Sequence, residues 1–364
     1  IAYLSTLSSH RVGADRALVR RTGDGEQPGG AVVRAKVVHG DRPSVIEIEI
    51  IAGKANRARF NRGACRPRDL TGILRTVVFA PEDLALVRDE PGVRRRFLDD
   101  LAVMLRPALA GVRLEHDKIL AQRASLLRSA RAHRGRGSSS VESMMSTLEV
   151  WDAQLAAAAS RLIAARVEVV QRLRPWVESC YEAVSDNQSE ARLAYRSSLL
   201  AHEGADDPEP GPAWEETLAA ESALIDAAQL AARLETAMGG LHEREVERGA
   251  NLVGAHRDDL SLFLGGLPAK GFASHGEQWS LALALRLASY EMLRHDVDAY
   301  GGDGEPVLIL DDVFASLDDK RRRALATMVA GAQQVLVTAA VDADVPEGLT
   351  GARFRVSGSE VTRD

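Results

Sequence analysis

Two apolar periodicities alternate along the chain, and the first of them indicates β-strands. β-branched residues recur in 31–38 (AVVRAKVV) and 45–51 (VIEIEII), with Gly, Asp and Pro between the two runs, which predicts a β-hairpin. Shorter runs at 57–60 (RARF) and 75–79 (RTVVF) predict two further strands. We therefore expect residues 1–100 to form a lobe built on a mostly antiparallel sheet.

Helical periodicity then replaces this pattern. It predicts an antiparallel helical pair over 108–130 and 145–175, joined by a Gly/Ser-rich turn at 131–140. A further amphipathic helix is expected at 214–238. Residues 101–245 are therefore expected to form an inserted α-helical arm domain. Its clearest feature is one apolar stripe with alternating steps of three and four residues: Leu148, Trp151, Leu155, Ala158, Leu162, Ala165 and Val169.

Strands and helices alternate in the last part of the chain, residues 246–364. Such alternation is typical of βαβ units, so we expect a parallel sheet there. The chain as a whole is thus predicted to be an α/β protein of two lobes with a helical arm inserted between them. The predicted strands are 259–266, 306–311, 333–338 and 352–356, and the predicted helices are 277–296 and 319–330.

The charge distribution suggests a polyanionic partner. Residues 1–140 carry a net charge of +11, whereas residues 141–364 carry one of −17. A basic half is typical of a protein that binds a polyanion such as DNA, and a solvated charged surface is the alternative. No run of eighteen apolar residues occurs in the 364 positions, which argues against a membrane span.

Cysteine usage indicates a reducing compartment. Cys65 and Cys180 are the two cysteines, and neither has the spacing of a metal ligand. No secretory signal sequence is visible, and the chain starts at Ile1 rather than at methionine. We expect a cytoplasmic protein.

The segment 306–318 (PVLILDDVFASLD) carries the strongest candidate chemistry. Asp311 and Asp312 follow an apolar strand at its carboxyl end, where α/β sheets bind their ligands. In phosphate-handling NTPases the first such acid holds Mg²⁺ and a neighbour orients the attacking water. For these two residues alone, a strand that ends in a polar turn is the alternative interpretation.

A second candidate segment begins at Phe272. Ser274 and Glu277 precede a long apolar run with the spacing of a capping box, in which each side chain satisfies a backbone N–H of the first helical turn. That local role is sufficient to explain the two residues when they are taken by themselves.

Three segments resemble, in order, the signature motif, Walker B motif and D-loop of ABC-type ATPases: SHGEQ at 274–278, LILDD at 308–312 and SLD at 316–318. The variant is similar to the RecF family, bacterial DNA gap-repair ATPases related to SMC proteins. The further segments that resemble this family are Ser9-His10-Arg11, VFAPEDL at 78–84, RRRFLD at 94–99, Gln122-Arg123, WDAQL at 151–155 and GAHRDDL at 254–260.

The resemblance implies a head-to-head dimer in which each ATP lies between the phosphate loop of one subunit and the signature of the other. Asp311 would then hold Mg²⁺ and Asp312 would be the catalytic carboxylate. The positive end of the helix dipole and the missing side chain at Gly276 suit the approach of a phosphate. The remaining implied site residues are Ser274, Gly276 and Glu277 of the signature, Ser316 and Asp318 of the D-loop, and Thr338 at the switch position.

The residues at two of these positions differ from those of transporter ATPases and match the RecF family better. Asp312 stands where transporters have glutamate, and Thr338 stands where many ABC ATPases have histidine. The shorter acid at 312 predicts slow hydrolysis of ATP.

The phosphate loop of the family, GxxxxGK[ST], is absent from residues 1–364. Gly53-Lys54 is the single Gly-Lys pair, and it lacks both the upstream glycine and the following Ser or Thr. We therefore expect this chain to lack the family's first strands, to have a partly uncovered sheet next to the Walker B strand, and to bind ATP poorly or not at all. The motif is expected in frame in the coding sequence just upstream of Ile1.

Basic residues supply the candidate DNA contacts. Arg94, Arg95 and Arg96, in the first turn of a predicted helix, are candidates for phosphate contact or for ion pairs with Asp99 or Asp100. The segment 256–259 (HRDD) is an ordinary charged turn or a family-specific element. A basic strip could contact the DNA backbone, and a solvated strand edge is its alternative. The strip consists of Arg57, Arg59, Arg62, Arg66 and Arg68.

The resemblance implies a DNA-binding ATPase that acts at single-strand gaps, dimerises with ATP and helps to load recombinase with RecO and RecR. Recombinational repair, DNA replication and the SOS response would depend on it. Two alternatives remain at this stage. One is the nucleotide-binding subunit of an ABC transporter, and the other is a non-enzymatic DNA or protein scaffold, which the missing phosphate loop favours.

Overall fold

The structure is a computed structural model that describes residues 1–9, 11–12, 14–19, 30–132, 138–185, 189–296, 304–346, 348–357 and 360–364. His10 of the Ser9-His10-Arg11 segment and residues 133–137 of the predicted Gly/Ser-rich turn lie outside the described residues. The strands are β1 (Ala31–His39), β2 (Arg42–Ile50), β3 (Arg57–Phe60), β4 (Gly63–Cys65), β5 (Thr76–Phe79), β6 (Ala191–Arg196), β7 (Asp259–Leu264), β8 (Leu267–Pro268), β9 (Val307–Asp311), β10 (Val335–Thr338), β11 (Phe354–Ser357) and β12 (Glu360–Arg363).

Helices occupy most of the middle of the chain and alternate with strands near its end. Short 3-10 turns occur at Asp15–Leu18, Pro67–Leu70, Pro81–Leu84, Phe314–Ser316 and Asp342–Asp344. The α-helices are α1 (Ala2–Thr6), α2 (Ala85–Arg88), α3 (Pro91–Leu105), α4 (Leu109–Ala132), α5 (Ser138–Val184), α6 (Ser198–His202), α7 (Trp214–Ser222), α8 (Ala227–Arg248), α9 (Ala269–Phe272), α10 (His275–Arg294) and α11 (Asp319–Val329).

The predicted antiparallel sheet is confirmed for β1 to β4, which pair in chain order. Alternation along β2 buries Ile46, Ile48 and Ile50 on one face, while Glu47 and Glu49 lie on the other. The run at 75–79 does not join this sheet. It forms β5, which pairs in parallel with β9, because its apolar residues are buried in the main core rather than under the hairpin.

The predicted parallel sheet is smaller than expected. Within the described residues it has the order β10-β9-β5, so the Walker B strand β9 is paired on both sides. The expectation that an uncovered edge would adjoin β9 is therefore wrong; the half-exposed residues Val335, Leu336 and Val337 lie on β10.

The other two predicted C-terminal strands pair elsewhere. β7 pairs antiparallel with β6 and β8, and β11 pairs with β12 in a two-stranded hairpin. Strand β6 is absent from the sequence-based prediction. It is six residues long and lies between helices, and its backbone pairs with a strand more than sixty residues away along the chain.

The helical predictions hold in position but not in all their boundaries. Helix α5 continues past Pro175 to Val184, since Val177, Cys180 and Tyr181 are buried against the core. The helix predicted over 214–238 is two helices, α7 and α8. The carboxylate of Asp226 accepts hydrogen bonds from two backbone N–H groups of the first turn of α8 and so begins a new helix there.

One large hydrophobic core unites the three predicted domains. It contains Phe97, Leu162 and Leu283, which belong to the first lobe, the arm and the second lobe of the prediction. Helix α10 packs against α5, and this is the most extensive contact between two helices in the described structure. The apolar stripe from Leu148 to Val169 is confirmed as core packing, while the domain boundaries stay a prediction. A second, smaller core lies beneath the β1–β4 sheet.

Buried arginines tie the helices of this core together. Arg123 on α4 is fully buried, and its guanidinium donates to Asp152 on α5, to Glu245 on α8 and to Asn251 at 2.6, 2.6 and 2.5 Å. An uncompensated charge at such a site would be strongly destabilising, so these carboxylates hold the three helices in one arrangement.

Arg94 is structural rather than a candidate for phosphate contact. Its guanidinium makes two parallel hydrogen bonds, of 2.7 and 2.8 Å, with Asp259 on β7. The suggested pairs with Asp99 and Asp100 are wrong, because Arg166 and Arg113 hold those carboxylates.

The HRDD segment begins in a turn, in which Arg257 is exposed, and ends in the buried aspartates Asp258 and Asp259. Asp258 accepts hydrogen bonds from the Tyr195 hydroxyl at 2.8 Å and from the Ser198 hydroxyl at 2.7 Å, and burial raises its pKa. The preceding His256 has a buried Nδ1 without a hydrogen-bond partner among the described residues.

His256→Gln is expected to remove a pH-dependent part of the free energy of unfolding. Burial lowers the pKa of His256 to about 3, against 6.5 for a histidine in an unfolded chain. Between these values the unfolded chain binds the proton and the folded chain does not, so this contribution to stability is full above pH 6.5 and declines as the pH falls. Urea unfolding between about pH 6 and 4.5 should show the wild type losing about 1 kcal/mol more per pH unit than the variant.

The matched control for this prediction is His202→Gln. His202 is exposed on α6, and its replacement should leave the wild-type pH dependence unchanged. Equal slopes for the wild type and the His256 variant would contradict the prediction.

Candidate functional site

The Walker B strand ends at a carboxylate that is already paired. Asp311 is the last residue of β9, and its side chain is 11% exposed. One carboxylate oxygen accepts a hydrogen bond from the Thr338 hydroxyl at 2.6 Å, and the other accepts one from the Arg11 guanidinium at 2.6 Å. The Arg11 side chain is 59% exposed, so the cation that covers this carboxylate lies at the surface.

Asp312 turns sharply out of the strand. Its φ angle is +55°, a left-handed backbone conformation that residues other than glycine adopt infrequently. The backbone N–H of Asp312 donates to the carbonyl and the hydroxyl of Thr338, both at 3.1 Å. Register between β9 and β10 places Thr338 directly opposite Asp311. The three predicted residues Asp311, Asp312 and Thr338 therefore form one cluster at the carboxyl edge of the parallel sheet.

The cluster fits the chemistry expected of it. Asp312 Oδ1 is buried and has no hydrogen-bond partner in the described structure, so it is an unsatisfied acceptor next to Asp311. The Asp311 carboxylate has the chemistry of a Mg²⁺ ligand, and the Arg11 guanidinium that now pairs with it would have to move away. No group of three or more His, Cys, Asp or Glu side chains in the described residues is placed to hold a metal, so phosphate and water would supply the other ligands.

The signature segment forms the exposed start of α10. Ser274 is the N-cap, and its N–H donates to Glu277 Oε2 at 2.8 Å while its hydroxyl accepts from the Glu277 N–H at 3.3 Å. The predicted capping box is confirmed, and hydrogen bonds from Ser274 lower the pKa of Glu277. Ser274 and His275 are exposed, while the helix is buried from Trp279 onward.

Gly276 has no requirement for glycine within its own chain. It lies in the first turn of α10 with an ordinary helical backbone, and a Cβ there would meet Arg321 Nη2 at 3.4 Å, a normal van der Waals contact. An alanine would therefore fit. If glycine is needed at this position, the need comes from a molecule that approaches from outside the chain.

The D-loop residues lie between β9 and α11. Ser316 is exposed in a 3-10 turn, and Asp318 is the N-cap of α11, where it accepts a hydrogen bond from the Arg321 N–H at 2.9 Å. That backbone hydrogen bond is the main reason why the pKa of Asp318 is lowered. The Arg321 side chain also pairs with Asp318 and donates to Ser280 Oγ on α10 at 3.0 Å.

The predicted basic strip lies on a different sheet from the other candidates. All five arginines are exposed, on β3, on the turn after it and on the Pro67–Leu70 turn. Arg57 and Arg59 face Glu49 and Glu47 of β2 at 4.0 and 3.4 Å. The side chains of Arg62 and Arg66 have no ion-pair partner in the described residues, so they are the better candidates for phosphate contact.

Three arginines at these sites were not among the predicted site residues. Arg11 covers Asp311, Arg321 joins Asp318 to α10, and Arg88 contacts His275 and Gln278 at the start of α10. Arg11 could have been found, because it belongs to the Ser9-His10-Arg11 segment. Arg88 and Arg321 carry no local signal, since their partners on α10 lie far away along the chain.

Two curated relatives match the chain over its whole length. The DNA replication and repair protein RecF of Beutenbergia cavernae is 56% identical over 364 residues, covering 100% of this chain and 89% of the relative. The protein of the same name from Frankia alni is 50% identical over 372 residues, covering 100% and 88%. No family model matches the chain.

Solved structures show the same fold. The structure of the recombination mediator protein RecF-ATPrS in the RecFOR pathway has a TM-score of 0.79 at 21% identity, covering 100% of this chain and 86% of that one. The corresponding RecF-ATP structure has a TM-score of 0.77 at 21% identity, covering 99% and 87%.

Fold and site together define the head of an ABC-type ATPase: an α/β core in which a parallel strand ends in two aspartates and a buried helix presents its exposed first turn. The identities and the coverage go further. The chain belongs to the RecF family.

Gly276→Ala is expected to separate folding from association. Because a Cβ fits beside Arg321, the variant should unfold at the wild-type denaturant concentration or be up to about 1 kcal/mol more stable, as alanine is the better helix former. ATP-dependent dimerisation, followed by sedimentation equilibrium in a protein that carries a RecF-family phosphate loop in addition to residues 1–364, should weaken by about tenfold or more if a phosphate approaches this glycine.

Gly240→Ala on the exposed side of α8, where a Cβ meets nothing within 4 Å, is the matched control. A Gly276 variant that dimerises like the wild type would rule out close approach at this position.

Proposed function

We propose that this chain is a DNA replication and repair ATPase that binds DNA and forms an ATP-dependent dimer. Its relatives from Beutenbergia cavernae and Frankia alni are named DNA replication and repair proteins, and the structures of similar fold are described as RecF bound to ATP or ATPrS. Recombinational gap repair, replication and the SOS response are the processes in which we place it.

The observation that carries the proposal is the division of the site into two parts. One part is the Asp311, Asp312 and Thr338 cluster at the carboxyl edge of the parallel sheet, and the other is the first turn of α10 with Gly276. The helix start has a positive dipole end that favours an anion, and the two aspartates provide carboxylates that suit Mg²⁺ and water. In the proposed dimer, the helix start of one copy faces the aspartate cluster of the other across one nucleotide.

Each residue of the first part then has a definite task. The Asp312 carboxylate accepts a hydrogen bond from the attacking water and takes up its proton, while Thr338 holds the Asp312 backbone in its turn. Asp311 would hold Mg²⁺, which supplies charge neutralisation at the phosphates when it is bound. Slow turnover is expected because the aspartate side chain is one methylene shorter than the glutamate of transporter ATPases.

ATP in this proposal acts as a clamp. A nucleotide shared between two copies stabilises the dimer by its own binding free energy, and its hydrolysis removes that contribution and releases DNA. RecO and RecR are the proposed protein partners, in keeping with the RecFOR pathway in which the structurally similar proteins are described.

The two alternative functions lose support. The relatives are named for DNA replication and repair rather than for transport. As a separate finding, none of the helices in the described part of the chain is long and apolar enough to cross a membrane. A purely structural scaffold has no use for the unpartnered, buried oxygen of Asp312 at a strand end.

Asp312→Asn is expected to abolish ATP turnover and to preserve the ATP-bound dimer. The amide cannot take a proton, so the hydrolysis rate should fall by at least about a hundredfold, while the dimer measured with ATP should persist longer. The assay compares residues 1–364 alone with a protein that carries a RecF-family phosphate loop in addition to them. Asp319→Asn, at the exposed neighbour of the D-loop, is the control. Hydrolysis at the wild-type rate in the Asp312 variant would remove Asp312 from the mechanism.

Arg62→Ala and Arg66→Ala are expected to weaken binding of gapped DNA. Each lost phosphate contact should reduce the slope of log affinity against log salt by about one. Arg57→Ala and Arg59→Ala provide the matched comparison, because Glu49 and Glu47 already partly neutralise those charges, and they should have the smaller effect. Fluorescence anisotropy over a salt series measures both quantities in residues 1–364. Unchanged slopes in all four variants would show that the basic strip is a solvated sheet surface that does not contact DNA.

A further inference from the structure

Three consecutive arginines at the start of α11 have three different environments. Arg321 reaches α10, Arg322 donates to the backbone carbonyls of Phe314 and Leu317 at 2.8 and 2.9 Å, and Arg323 is exposed without a side-chain partner in the described structure. Arg322 therefore fixes the shape of the D-loop itself. Arg321 does something else, because its guanidinium contacts both the N-cap residue Asp318 and Ser280 on α10.

The Arg321 guanidinium touches three separate functional positions. Nη1 pairs with the carboxylate of Asp318, and Nε donates to Ser280 Oγ at 3.0 Å. Nη2 lies against Gly276, 3.4 Å from the place a Cβ would occupy. Ser280 is fully buried in the second turn of α10, so it is a fixed anchor for this side chain.

The exposed fractions of the Asp318 and Arg321 side chains indicate that Arg321 holds Asp318 in place. The Asp318 side chain is 52% exposed, whereas the Arg321 side chain is 24% exposed. One Asp318 oxygen already accepts the backbone hydrogen bond of the N-cap, and the guanidinium pairs with the other oxygen and ties it to α10. Because one face of the guanidinium rests on a rigid helix, the carboxylate that pairs with it has a fixed position relative to Gly276.

We infer that Arg321 is a positioning residue that couples the D-loop to the signature helix, so that both meet a second subunit as one rigid surface. The inference rests on the proposed ATP-dependent dimer. Its physical basis is the planar guanidinium, which hydrogen-bonds in two directions at once, toward Ser280 and toward Asp318. A lysine has one compact ammonium group and cannot bridge the same two partners.

The test compares Arg321→Ala, Arg321→Lys, Ser280→Ala and the matched control Arg323→Ala. Dimerisation is measured by sedimentation equilibrium with and without ATP, in a protein that carries a RecF-family phosphate loop in addition to residues 1–364. Hydrogen exchange of the backbone amides at 274–280 and 316–318, together with urea unfolding, is measured in each monomer. Ser280→Ala removes the anchor alone and remains informative if Arg321→Ala folds poorly.

Arg321→Ala and Arg321→Lys should each weaken the ATP-dependent dimer by about tenfold, the effect of one lost charge-assisted hydrogen bond. Ser280→Ala should weaken it by a smaller factor, and Arg323→Ala should match the wild type. Exchange should rise at 316–318 in the Arg321 variants while the urea midpoint stays close to that of the wild type.

The opposite results are equally clear. An Arg321→Ala dimer as tight as the wild-type dimer overturns the inference and leaves the proposed function standing. Full rescue by lysine overturns it as well, since the positive charge alone would then be sufficient. Failure of the wild type itself to dimerise with ATP contradicts the proposed function first, and the inference falls with it.

Discussion

The complete burial of α10 is the constraint on which the arrangement of this protein depends. From Trp279 to Leu293 every residue except Arg286 and Glu291 is buried. A helix that is apolar around its whole circumference must be enclosed on all sides, and here α5 lies against one side while β5 and the Pro81–Leu84 turn lie against another. The helix axis therefore has no freedom to shift. Its first turn emerges from the core at a fixed point, and Ser274 and Gly276 are presented there.

Buried ion pairs fix the arm to the same core. Arg123 joins α4, α5 and α8, Arg94 joins α3 to β7, and Arg166 joins α5 to α3 through Asp99. Ion pairs of this kind contribute little net stability, because desolvation offsets their attraction, but each one penalises any arrangement that separates its partners. These ion pairs therefore penalise any arrangement that separates α5 of the predicted arm from α3.

The outward-facing polar groups at the site make their hydrogen bonds and ion pairs with residues of their own chain. Arg11 stands beside Asp311 where a cation would bind, Arg321 rests on Gly276 and pairs with Asp318, and Glu277 accepts the hydrogen bond of Ser274. The isolated chain therefore leaves few unpaired charges at this surface. In the dimer proposed above, binding of a nucleotide and a second copy would exchange these internal contacts for external ones, which would keep the net free energy of association small and make the dimer responsive to ATP.

The sequence by itself determined those features that rest on local patterns. The apolar run before Asp311, the capping box of Ser274 and Glu277, and the helical stripe from Leu148 to Val169 were all predictable, because their cause lies within a few residues of chain. The order of the motifs was sufficient to indicate the family. Tertiary structure decided the rest. Pairing of β5 with β9, and of β6 with β7, depends on backbone segments that meet only after folding. The contact of Arg11 with Asp311 spans 300 positions, and the contacts of Arg94 and Arg321 also cross between elements. A single charged side chain carries no periodicity, so its partner is set by where the packed core places the two elements and cannot be read from the surrounding residues.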